Sequence, residues 1–212
     1  MADNSTDVAD AALRRALCPR CARPSTACIC TWITPTANEA RLLILQHPLE
    51  VRQAKGSAKL LQLSLQHADL QVGETFAPDD LKGWPGTDAP NAWHNILLYP
   101  THPGLPAPTA SLDHIPPSQI RLIVLDGTWR KSLKMLHLNP ALQSLPRLAL
   151  DPDSPSRYLI RKAHRPNQLS TLEASCLALA QLEGAPHRYE PLLDAFSSFV
   201  IDQIRHRDEK TF

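Results

Sequence analysis

Four cysteines, Cys18, Cys21, Cys28 and Cys30, fall in the spacing C-x2-C-x6-C-x-C. Zinc is held by thiolates at the corners of a tetrahedron, and a C-x-x-C turn lets two sulfurs converge on one ion. All four ligand positions are filled, so the spacing predicts a structural zinc site rather than a catalytic one. The intervening segment carries almost no apolar residues, and a metal is therefore expected to order it. Free loop cysteines and a redox or sulfur-relay role are the other readings of the same cluster. The fifth cysteine, Cys176, sits in an apolar helical stretch and reads as a buried core thiol.

A second candidate is Asp126, which ends the apolar run Ile120–Asp126 and is followed by Gly127-Thr128-Trp129. In parallel α/β sheets, ligands gather where strands end and helices begin, and a helix N-terminus favours negative charge. Asp126 at such a point reads as a ligand-site carboxylate; a plain helix N-cap accounts for it equally well.

The elements that must position these residues follow from periodicity. Near-continuous apolar runs at 41–47, 94–100 and 120–126 predict buried strands, with shorter ones at 69–72 and 148–150. Helices are expected at 59–67, 129–138, 172–182 and 189–206, the last with Leu192, Leu193, Phe196, Val200, Ile201 and Ile204 on one stripe. Ser170-Thr-Leu-Glu173 has the form of a capping box. Apolar strands alternating with helices predict an α/β domain around a largely parallel sheet with flanking helices. The expected organisation is a frayed acidic start at 1–14, a zinc-binding element at 15–36 and a catalytic domain at 37–207.

Composition narrows the function classes. The chain has 212 residues, 43% hydrophobic and 20% charged, with 20 prolines and only 7 glycines, a globular composition rich in rigid loops. No apolar run approaches the ~20 residues of a membrane span. The start of the chain is acidic and polar, unlike a secretory signal, so a cytoplasmic protein is expected. The net charge of +1 hides an asymmetry: residues 121–165 hold nine basic and three acidic side chains, the rest 13 and 18. One basic third in a neutral chain suggests a polyanionic partner, although solvated helix faces give the same count.

Leu125-Asp-Gly-Thr-Trp129 resembles the signature of the DTW-domain proteins. The paired cysteine motifs, Leu45-Gln-His-Pro48 with Glu50, Leu97-Leu-Tyr-Pro100 and Leu169-Ser-Thr-Leu-Glu-Ala174 occur in that family's order, over about residues 18–180. The sequence departs from the pattern at Lys55-Gly-Ser57, where an asparagine–threonine pair is common.

The resemblance implies a SPOUT-like fold and a tRNA-uridine aminocarboxypropyltransferase. Such enzymes move the 3-amino-3-carboxypropyl group of S-adenosylmethionine to N3 of a uridine and release methylthioadenosine. It implies Asp126 as the catalytic residue. It implies a cofactor site made of Gly127, Thr128 and Trp129, of Leu148, Ala149 and Leu150, of Leu169, Ser170, Thr171 and Glu173, and of Tyr99. Trp129, Tyr99, Ser170 and Glu173 also read as packing or capping residues. Arg157, Arg161, Lys162 and Arg165 are expected to grip tRNA or the cofactor carboxylate, and His47 and Glu50 remain weaker candidates. A methyltransferase of the same fold and a non-catalytic, zinc-containing RNA-binding protein are the alternatives. A monomer without an obligate protein partner is expected.

Overall fold

Along the strands, successive apolar side chains fall alternately on two faces of one sheet, so both faces must be covered. The computed structural model describes residues 16–53, 56–78, 81, 93–100, 104, 106–112, 114–150 and 169–208, the last three by backbone alone. Five strands, β1 (Arg41–Gln46), β2 (Ala68–Val72), β3 (His94–Leu98), β4 (Ile120–Asp126) and β5 (Arg147–Leu148), form a sheet in the order β2-β1-β4-β3-β5. Every pairing is parallel. The register sets Gln46 directly beside Asp126 at the carboxyl ends of the two central strands.

Leu42, Ile44, Ile96, Leu122, Val124 and Leu148 pack on one face with helices α1 (Ser57–Ser64), α4 (Thr171–Leu182) and α5 (Glu190–Asp208). Leu43, Leu45, Leu97, Tyr99 and Ile123 pack on the other with α2 (Trp129–Leu138) and α3 (Pro140–Gln143). Fully burying each Leu or Ile contributes about 1.5–3 kcal/mol, which makes the two-sided apolar strands the main source of stability. No helix among the described residues is long and apolar enough to cross a membrane.

Local differences from the sequence reading have local causes. Helix α1 stops at Ser64 rather than 67, because Leu65 turns extended to bridge Thr36 and Gln66 N–H bonds the Thr36 carbonyl. Strand β5 is Arg147–Leu148 rather than 148–150. The α5 stripe buries Phe199, whereas Ile201 and Ile204 are 44% and 37% exposed. The cysteine segment is not held by its sulfurs alone. Ile29 is fully buried in the same core as Leu60 and Cys176, and the Trp32 ring meets that of Phe199 on α5. Cys176 is fully buried among apolar neighbours, which push its thiol up.

Candidate active site and metal centre

Backbone hydrogen bonds set the shape of the cysteine element. Cys18 N–H bonds the Arg23 carbonyl, Ala22 N–H bonds the Cys18 carbonyl, and Ala22 takes a left-handed φ of 56° to close the turn. All four Sγ atoms then lie within 4.8 Å of one another, with Cys18–Cys30 at 3.6 Å and Cys21–Cys28 at 3.8 Å. Zinc–sulfur bonds of about 2.3 Å place the sulfurs of a tetrahedron about 3.8 Å apart, so this donor set fits a metal ion such as zinc. Backbone hydrogen bonds from Cys21 and Arg20 bring the Cys18 thiol down to about 6, while lost hydration and the neighbouring sulfurs push Cys30 up to about 12. A bound dication overrides such differences by taking all four as thiolates.

The second site lies past the carboxyl ends of β3, β4 and β5. There a cavity of about 390 Å³ is walled by Leu98, Tyr99 and Pro100, by Val124 to Trp129 without Asp126, by Leu148, Ala149 and Leu150, and by Leu169, Ser170, Thr171 and Ala174. Ten residues expected to contact a cofactor therefore surround one space: Tyr99, Gly127, Thr128, Trp129, Leu148, Ala149, Leu150, Leu169, Ser170 and Thr171. Of the four stretches that meet there, three are brought together as strand ends by the order β4-β3-β5, and the fourth leads into α4. The turn runs close to α2 at Gly127, where a Cβ would meet the Lys131 Cβ at 3.1 Å.

Glu173 is not part of the wall. Its carboxylate accepts from Ser170 N–H at 2.8 Å, while its own N–H donates to Ser170 Oγ at 3.2 Å, a complete capping box that starts α4. Trp129 stands 62% exposed, touching Tyr99 edge-on with ring centroids 6.0 Å apart, instead of sinking into the core.

Asp126 is 8% exposed and does not cap α2, whose N-cap is Thr128. Its Oδ2 accepts from Gln46 Nε2 at 2.8 Å and its Oδ1 from Thr171 Oγ1 at 2.6 Å. Thr171 is thus the link between the buried carboxylate and the cavity. Gln46 is a site residue that sequence reasoning missed. The signal lay in the Leu45-Gln-His-Pro48 segment, but only the β1–β4 register shows what the glutamine touches.

His47 and Glu50 serve the scaffold. His47 Nδ1 accepts from Leu49 N–H, which leaves the proton on Nε2, facing Glu74 Oε1 at 2.8 Å. Lys134 bonds the other Glu74 oxygen at 2.7 Å and holds that carboxyl below its ordinary range. Glu50 pairs with Lys131 at 2.7 Å. These pairs tie the turn after β1 to α2. Arg157, Arg161, Lys162 and Arg165 lie outside the described residues.

The DTW domain matches residues 15–204. A Drosophila melanogaster protein named tRNA-uridine aminocarboxypropyltransferase 2 is 32% identical over 193 residues, covering 87% of this chain and 74% of that one. A Macaca fascicularis protein of the same name is 26% identical over 212 residues, covering 92% and 66%. An Arabidopsis thaliana protein named tRNA-uridine aminocarboxypropyltransferase A is 33% identical over 144 residues, covering 61% and 53%. This chain therefore spans only part of each relative's length. No solved structure matches it.

Proposed function

The chain belongs to the DTW domain family, and on that premise we propose that it is a tRNA-uridine aminocarboxypropyltransferase with S-adenosylmethionine as donor. The observation that carries this reading is the cavity: three of its four lining stretches belong to segments that carry the family resemblance, and a buried carboxylate reaches it through one hydroxyl. The names of the relatives support the substrate class.

The reaction joins uridine N3 to the chain carbon beside the sulfonium, and the carbon–sulfur bond breaks with its electron pair left on sulfur, giving methylthioadenosine. N3 must shed a proton for this. Thr171 commits its own proton to Asp126, so the hydroxyl oxygen presents lone pairs to the cavity. The N3 proton passes to Thr171 as the Thr171 proton passes to Asp126, and Gln46 keeps the carboxylate oriented. Adenine and methionine parts are read against Leu148–Leu150, Leu169–Thr171 and Trp129; positioning decides that the longer chain rather than the methyl is transferred. The cysteine cluster is read as a structural zinc site that stabilises its element, apart from the chemistry. The arginines and lysine at 157, 161, 162 and 165 are proposed to grip tRNA phosphates.

The small molecule released from S-adenosylmethionine in the presence of tRNA tests the reading. Methylthioadenosine is expected. S-adenosylhomocysteine would mark a methyltransferase, and tRNA binding without turnover would mark a binding protein.

A further inference from the structure

Arg147 is 3% exposed, yet its Nε and Nη2 have no hydrogen-bond partner among the described residues. The backbone around it is well tied. Arg147 N–H bonds the Pro108 carbonyl at 2.8 Å, its carbonyl accepts from Ala110 at 2.9 Å, and it pairs in register with Leu97. The side chain reaches the cavity wall: Nη1 lies 3.5 Å from the Pro100 carbonyl, and Cζ sits 5.5 Å from the Tyr99 ring centre. Tyr99, Pro100 and the adjacent Leu148 all line the cavity.

Burying a guanidinium with donors unmet is costly, and chains rarely retain it without a use. The two unmet atoms are informative as a pair. Nε–H and one Nη2–H project in parallel from the same edge of the guanidinium, the edge that grips a carboxylate through two hydrogen bonds. The Nη1 corner is already turned to Pro100.

We propose that Arg147 receives the carboxylate of the aminocarboxypropyl chain of S-adenosylmethionine, an assignment that rests on the function proposed above. A macromolecular phosphate does not suit a fork closed off behind Tyr99 and Pro100, whereas a small carboxylate entering a cavity of about 390 Å³ does. The Tyr99 ring stands between Arg147 and Trp129, so the carboxylate reaches the fork past that ring. Anchoring the carboxylate would fix the chain carbon relative to Thr171, and a methylthioadenosine product would leave without that anchor.

Calorimetric titration of the full chain with S-adenosylmethionine and with its decarboxylated analogue tests this. The wild type is expected to bind the carboxylated ligand at least about 10-fold more tightly. Arg147→Lys keeps a cation but loses the fork, and Arg147→Met loses both. Each is expected to erase most of that preference while the decarboxylated analogue binds within about 2-fold of wild type. Circular dichroism melts check folding, and if Arg147→Met does not fold, Arg147→Lys decides. Equal wild-type affinities, or a preference that survives in Arg147→Lys, would overturn the assignment alone. A wild type that binds neither ligand would overturn the proposed function and this assignment with it.

Discussion

Thr171 donates to Asp126 Oδ1 at 2.6 Å across 45 residues of sequence, joining the first turn of α4 to the end of β4. The contact exists because the strand end and the capped helix start face the same cavity. Thr171→Val keeps the shape and removes the donor. Turnover is expected to fall about 100-fold, with stability lowered by about 1–3 kcal/mol as a buried carboxylate loses a partner. Thr171→Ser restores the hydroxyl and should recover most activity; steady-state kinetics and urea melts measure both.

The side chain of Glu183, at the end of α4, is fully buried and accepts from Glu39 N–H, Ala40 N–H, Arg188 and the Tyr189 hydroxyl. It clamps the entry to β1 against the α4–α5 turn. Glu183→Ala leaves these donors unmet and is expected to cost about 3–5 kcal/mol in urea unfolding. Tyr189→Phe, which removes one donor, should cost about 1–3 kcal/mol.

How legible this arrangement was in the sequence depends on the range of the forces involved. Strands β1, β3 and β4 are buried on both faces, so apolar runs announce them; the Ser170–Glu173 capping box is written within four residues. The cysteine cluster announces itself by spacing. Gln46 beside Asp126 depends on which strands pair, and nothing local encodes that. The orphaned fork of Arg147 likewise emerges only once β5 lies against β3. Ile29 is fully buried, yet one apolar residue in a polar loop has no periodicity to signal it.

The hydrogen bond from Lys134 holds the Glu74 carboxyl below the usual carboxylate range. A carboxylate stabilised in the folded state contributes stability that is fully present above the unfolded pKa and is lost as pH falls through the folded one. Glu74→Gln should therefore lower stability at pH 7 and flatten its decline as the pH falls through the carboxylate range, read from thermal melts across pH.

Metal removal should act on stability before chemistry. Wild-type protein is expected to carry one zinc per chain by elemental analysis, and Cys30→Ser to carry much less. Chelation should lower the melting temperature and loosen the packing of Trp32 against Phe199, seen as a change in tryptophan fluorescence. A chelated protein that melts unchanged would show that Ile29 and Trp32 suffice to order the element.

The most direct test follows the product on the tRNA. Wild type and Asp126→Asn are incubated with S-adenosylmethionine and unmodified tRNA, and both the released nucleoside and the modified base are identified by mass spectrometry. Equal amounts of methylthioadenosine and aminocarboxypropyl-uridine are expected from the wild type, with both falling by about 100-fold or more in Asp126→Asn while S-adenosylmethionine still binds. A methylated base with S-adenosylhomocysteine, or an Asp126→Asn variant that works at the wild-type rate, would contradict the account.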